Sequence, residues 1–533
     1  MKNVQLKINE TGLIKNLGAI FSDRTKVIIE LAQNARRAGS DSVNFFFDQE
    51  ASTLTVEDSG CGIDDMQNLL SVALSGWDSD IETAESAYGM GFLATAFACD
   101  KIEITSGTKM LSANTKDILE QKTIEVIETD DAPVKGSIIK LYNFNMNEKS
   151  LNDVLKKLAK GYLINVSLNG VDFERNNNFE ALSTSHEVIN FEYGTLFFKS
   201  DSFDVSFNCY LQGVHILSSN TRDVDQRRVY VHLNSDVLAR MPDRDKLLDE
   251  ETIKKVVVES IKEYYITTLK TLQSTMDDKL FVEKYGAHVL KFCPVLFNSS
   301  NYLPNTMFSD IHEYPTLLRD FDDSYMSNST RDISKQTILD GSVQLVELEE
   351  PCCEESFKYV MYAWLKELVV VDNVNCLDKG HWLKEHIQEV GDVEVVFNNE
   401  GKSACINGQW VYASVYFVDS YTLKGRFGEV TCDDYGICMD DGYLVIPSKE
   451  NSGSSIEQVS RFTGEYGDFN EESRDNDEEL LRALIMRSRC DTKAELLKKA
   501  LEALPKDVIQ ELSLANFTLA FDKEGVIKVA EAA

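Results

Sequence analysis

From Thr25 to Ala38 the apolar residues fall at Val27, Ile28, Leu31, Ala32, Ala35 and Ala38, a three-and-four spacing that predicts a helix buried along one face. Gly39 follows as a natural stop. The runs SVNFFFD (42–48) and STLTVED (52–58) have the β-branched and aromatic content of paired strands joined through the polar turn DQEAS, which puts Asp58 at a strand end. Asp64 to Leu74 reads as helical, 75–88 as a polar loop, and GFLATAFACD (91–100) as a small-residue helix opened at a glycine turn. Strands are predicted at KIEITSG (101–107), TIEVIE (123–128) and SIIKLY (137–142). The pattern implies an α/β layer sandwich, helices on one face of a mixed sheet, in a chain of α+β type.

Beyond it the pattern suggests three more segments, in keeping with 533 residues. Residues 149–275 read as a second α/β unit, with strands near 190–217 and 228–233 and a long helix at 249–272. Residues 276–467 read as a mixed α/β region with polar loops. Residues 468–533 read as a solvated acidic linker, DFNEESRDNDEE, followed by a helical segment. The first segment is set at 1–148.

Composition narrows the classes. An apolar fraction of 43% and a charged fraction of 27% are those of a globular chain. No run approaches the roughly 18 apolar residues of a membrane span. The start, MKNVQLKINETG, lacks the apolar core of a secretory signal, and the eleven cysteines are scattered apart from adjacent Cys352 and Cys353, so a cytoplasmic location is expected. A net charge of −34 opposes docking onto nucleic acid or anionic lipid. Neither CxxC pairs nor Cys/His clusters at zinc spacing occur. His381 and His386 are expected to flank a helix, and DDYGICMDDG (433–442) to be a solvated turn rather than a divalent-ion site.

Four short patterns carry chemistry. In ELAQNARRA (30–38), Glu30 and Asn34 lie four apart on one helix face. A carboxylate there can take the proton of an attacking water, and an amide oxygen one turn on is a hard ligand suited to Mg²⁺. In EDSGCGIDD (57–65), Asp58 can accept a hydrogen bond from an exocyclic amine such as that of adenine, while Gly60 and Gly62 admit the base without Cβ obstruction. In AYGMGF (87–92), Gly89 and Gly91 open a helix whose free N–H groups can cradle phosphate. In GSIIKLY (136–142), Ser137 offers a hydroxyl. Alone, each reads as an ordinary polar pair or turn.

In this order, the four together resemble the GHKL superfamily of ATPases, which includes heat shock protein 90, MutL, gyrase B and histidine kinases. ELAQNARRA looks like its N box, VEDSGCGI its adenine-binding glycine box, YGMGF its phosphate box, and GSIIKLY its closing strand, over roughly residues 15–145. The resemblance implies a Bergerat-fold ATP-binding sandwich followed by a transducer-like middle domain. It makes Glu30 the general base, Asn34 the Mg²⁺ ligand, Asp58 the adenine anchor and 75–90 an ATP lid, and places Gly60, Gly62, Ile63, Gly89, Met90, Gly91, Phe92 and Ser137 against ATP. Arg37 departs from it, standing where an acidic residue is usual.

In gyrase B and MutL the following domain brings a cation to the γ-phosphate. Here LARMPDRDKLLDEETI (238–253) offers Arg244 or Lys246; a charged loop before a helix is the plainer reading. The string PDRDKLLDEETI also resembles a stretch in phage rIIA-like proteins. The resemblance implies an ATP-driven, heat shock protein 90-like switch that closes as a homodimer, with a protein client or partner engaged through the carboxy-terminal half. A non-hydrolysing ATP-binding interaction protein and a DNA-processing ATPase of MutL or gyrase B type are the alternatives.

Overall fold

A computed structural model describes residues 23–71, 91–200, 202–219, 229–240, 246–317, 324–331, 333–348, 357–372, 374–439, 442–464, 466–502 and 504–531, together with Asn9, Gly12 and Ile14. The chain divides into two compact units, Met1–Tyr265 and Ile266–Ala533.

The first helix, α1 (Arg24–Arg37), begins at Asp23, whose carboxylate accepts the Thr25 N–H at 2.9 Å and so satisfies one donor that a helix start leaves open. Val27, Ile28, Leu31, Ala32 and Ala35 are buried. Each of the larger side chains contributes about 1.5–3 kcal/mol on burial, more than the few tenths that β-branched residues cost a helix. Past Arg37 the chain turns at Gly39 (φ +72°), and the Ser40 N–H returns to the Ala35 carbonyl at 3.1 Å.

Strands β1 (Ser42–Asp48) and β2 (Thr53–Asp58) form the expected hairpin, with Val43 opposite Asp58. The short helix α2 (Gln67–Leu70) follows, and it is all that the described residues hold of the helix expected over Asp64–Leu74. Asp65 accepts the Gln67 N–H at 2.9 Å, so the helical turn begins only there. Then come α3 (Gly91–Ala98), β3 (Lys101–Gly107), β4 (Lys109–Asn114), α4 (Thr115–Leu119), β5 (Val126–Glu128), β6 (Val134–Tyr142), α5 (Glu148–Gly161), β7 (Asn165–Leu168) and β8 (Val171–Asp172). The eight strands make one mixed sheet in the order β5-β4-β3-β6-β2-β1-β7-β8, in which β1 and β7 run parallel.

Alternation decides which face is covered. Val43, Phe45 and Phe47 are buried while Phe46 is 40% exposed, as a half-buried strand requires. The core takes Leu31 from α1, Leu93 from α3, Ile104 and Leu141 from the sheet, and Leu151, Leu155 and Leu158 from α5. The sheet therefore runs on past residue 148, because α5 buries its apolar stripe in the same core and delivers β7 alongside β1.

The rest of this unit holds α6 (Phe179–Ser185) and a five-stranded sheet of β9 (Glu187–Phe191), β10 (Gly194–Phe198), β11 (Phe207–Leu211), β12 (Val214–Ser218) and β13 (Val229–Leu233), ordered β12-β11-β13-β10-β9. Every residue of β10 and β11 is buried. Helix α7 (Glu250–Thr275) stacks Tyr264 on Phe198, ring centroids 3.8 Å apart, and sends the Tyr265 hydroxyl to the Asp204 carbonyl at 2.6 Å.

In the unit from Ile266, one mixed sheet contains Phe308–Ile311, Met326–Asn328, Leu345–Glu347, Val369–Val371 and Ile387–Glu389. A second is built on the long antiparallel pair Glu394–Asn407 and Tyr412–Gly425. His381 and His386 cap the two ends of the 3-10 turn Trp382–Glu385. Asp433 and Asp434 pair with Lys449 at 2.7 and 3.7 Å.

The acidic run 468–479 is not a linker. It enters the helix Glu471–Ser488, whose Leu481 and Ile485 are buried, and whose fully buried Asp477 accepts the N–H groups of Gln409, Trp410 and Val411 at 2.5–3.0 Å. Those three donors satisfy a carboxylate that solvent would otherwise hold. Nor is the remainder all helical: after Lys493–Glu502 and Lys506–Glu511 comes a hairpin, Phe517–Phe521 with Ile527–Glu531. Among the described residues no helix is long and apolar enough to cross a membrane.

Candidate functional site

Strand register builds the first half of the site. β2 and β6 place Asp58 opposite Ser137, and β6 and β3 place Ser137 opposite Ser106, so three polar residues stand level across three adjacent strands. The Ser137 hydroxyl donates to Asp58 Oδ2, and the Gly60 N–H donates to Oδ1 at 2.9 Å. A carboxylate offers about four acceptor sites, so the fixed Asp58 retains capacity for a further donor.

The turn after Asp58 is tied at every second residue. Ser59 N–H donates to Ser40 Oγ at 2.9 Å, Cys61 N–H to the Ala38 carbonyl at 2.8 Å, and Ile63 N–H to Ser106 Oγ at 2.8 Å, while Ser106 donates on to the Gly136 carbonyl at 2.7 Å. A Cβ on Gly60 would lie 2.5 Å from Ala38 Cβ, and one on Gly62 (φ +77°) 2.7 Å from Ser106 Oγ. Both glycines thus serve close packing of the turn against the end of α1 and the edge of β3, a demand separate from room for a base.

The second half lies on α1. Arg37 is buried, its side chain 3% exposed, with Nη1 3.9 Å from Glu30 Oε2 and donating to Asn34 Oδ1 at 3.3 Å. Neighbouring Arg36 turns to Gln33 Oε1 at 2.9 and 3.2 Å. Beneath them burial pushes the Tyr162 hydroxyl well above its ordinary range, against the downward pull of Arg36 and Arg37, so it stays neutral. Among the described residues no group of three or more His, Cys, Asp or Glu could hold a metal. Asn34 still fits Mg²⁺, which takes one or two protein oxygens and completes its shell with water and phosphate: its amide oxygen has two lone pairs, of which Arg37 engages one.

The structure therefore joins Asp58, Gly60 and Ser137 directly, Gly62 and Ile63 through Ser106, and Glu30 and Asn34 through Arg37. Gly91 opens α3, and Phe92 packs half-buried on the core. Gly89, Met90, Trp77 with the rest of the expected lid, and Arg244 lie outside the described residues. Lys246 is exposed and its carbonyl accepts the Arg240 N–H at 2.7 Å; no hydrogen bond or ion pair joins its side chain to Glu30 or Asp58 among the described residues. Ser40, Ser106 and Tyr162 carry no signal in the sequence, since their partners are 19, 30 and more than 100 positions away.

A mixed sheet packed on helices, a strand-end carboxylate above a tied glycine turn, and a helix presenting Glu and Asn one turn apart define a domain of α/β sandwich type. Residues 22–149 match the family described as histidine kinase-, DNA gyrase B- and HSP90-like ATPase. This segment is a GHKL-type ATPase domain. Among solved structures, the chain is similar to the ATPase region of Saccharomyces cerevisiae topoisomerase II bound to ICRF-187 (dexrazoxane), at 11% identity and a TM-score of 0.30, over 42% of this chain and 77% of that one. No curated protein matches the chain.

Proposed function

We propose that the chain binds Mg-ATP at this site and hydrolyses it, using the cycle as a heat shock protein 90-like conformational switch. Asp58, held by Ser137 and Gly60, receives the adenine amine. Glu30 accepts a proton from the water that attacks the γ-phosphorus; the new P–O bond forms as the β–γ bridge bond breaks, and ADP leaves with the electron pair. Asn34 is the residue that would hold Mg²⁺, which supplies charge neutralisation to the phosphates when bound. Arg244 or Lys246 brings a cation to the γ-phosphate, and closure pairs two chains.

The observation that carries this reading is the pairing, in one family-matched segment, of the bridged Asp58 with Glu30 and Asn34 on the adjoining helix. Phosphate release measured against protein concentration tests it. The expected outcome is Mg²⁺-dependent release whose rate per chain rises with concentration, lost in Glu30→Ala with binding kept. Binding without release in the wild type would favour the non-hydrolysing interaction protein instead.

A further inference from the structure

We propose that Arg37 is a positioning residue for hydrolysis, its one guanidinium clamping Glu30 and Asn34 in the relative placement that water attack requires. This rests on the ATPase reading above. Glu30, Asn34 and Arg37 stand at i, i+4 and i+7 and so share one stripe of α1. Arg37 lies in the last turn, where a cation pointing to solvent would already interact favourably with the helix dipole. It is buried instead, which is costly for a charge unless paired and hydrogen-bonded.

The contacts it makes there include the pair of side chains assigned the chemistry, at 3.9 Å from the carboxylate and 3.3 Å from the amide oxygen. A planar fork of fixed donors suits that task better than a flexible ammonium. Of its neighbours among the described residues, Arg36 donates to Gln33, α3 brings no titratable side chain, and the Tyr162 hydroxyl is neutral. Glu30, 18% exposed, would otherwise sample several rotamers. A misplacement of about an ångström costs on the order of 100-fold in rate.

The test measures phosphate release, ATP affinity and thermal unfolding for wild type, Glu30→Gln, Arg37→Gln, Arg37→Lys and the double variant Glu30→Gln with Arg37→Gln. Arg37→Gln is expected to lower kcat roughly 10–100-fold with ATP affinity within about threefold, and Arg37→Lys to recover part of the loss. In the Glu30→Gln background the Arg37→Gln change should add little to the loss of kcat, because the relative placement that Arg37 holds has already lost its base. Equal fold losses in both backgrounds, or full-rate turnover by folded Arg37→Gln, overturn the proposal. Should Arg37→Gln not fold, full-rate turnover by Arg37→Lys overturns it and a partial loss at unchanged affinity supports it. A wild type that releases no phosphate overturns the ATPase reading and this role with it; normal turnover by Arg37→Gln beside a silent Glu30→Gln overturns this role alone.

Discussion

The strand end that carries Asp58 and the helix beside it are built by opposite means. At the strand end, Asp58 is fixed by a hydroxyl and a backbone N–H, and the turn after it is tied by serines and main-chain groups. On α1 the organising contact is a buried guanidinium beside a carboxylate and an amide. Strand register holds the first, and the second has the Arg37 guanidinium at its side. Recognition should therefore be robust and separable from turnover, whereas the chemistry hangs on a few charged atoms.

Asp58→Ala gives the largest expected effect at the strand end. Losing a hydrogen-bond acceptor that is charged costs about 1.5–3 kcal/mol, so ATP affinity should fall roughly 10–100-fold, read by equilibrium titration, with kcat at saturation near wild type. A fall in kcat of the same size would erase the division between the two halves.

Gly60→Ala comes next, and it asks whether the seam between them is rigid. The new Cβ would meet Ala38 Cβ and carbonyl at 2.5 and 2.6 Å, so overpacking should cost about 1–3 kcal/mol, seen as a lower denaturation midpoint. An unchanged midpoint would mean that the end of α1 gives way.

The last effect lies outside both halves and serves as their control. Burial, aided by Lys157 and Lys160, pushes the His215 imidazole down to about 4 from about 6.5 when unfolded. A depressed folded value means that this stability is complete above pH 6.5 and is lost as pH falls towards 4, by about 1–3 kcal/mol. His215→Leu should flatten the dependence of stability on pH over that window; an unchanged slope would mean that His215 does not set it.

Much of the α1 face and the glycine turn could be read in advance, because helix periodicity, the Asp58 strand end and alternate glycines are local patterns. Contacts across strands could not: Ser106 meets Gly136 only because β3 and β6 are neighbours, and nothing in KIEITSG announces that. Arg37 was visible as a departure, yet its inward turn depends on what α1 packs against. The acidic run at 468–479 misled because its density of charge hid one residue, Asp477, that folds inward against three N–H groups.

We propose that this ATPase domain recognises nucleotide at the strand end that carries Asp58 and reacts with it from α1. Measuring ATP affinity and saturated phosphate release side by side for Asp58→Ala and Glu30→Ala tests it most directly. A crossed result is expected: affinity lost with rate kept in the first, and rate lost by roughly 10²–10⁴-fold with affinity kept in the second. Both variants altering the same quantity, or neither altering either, would contradict it.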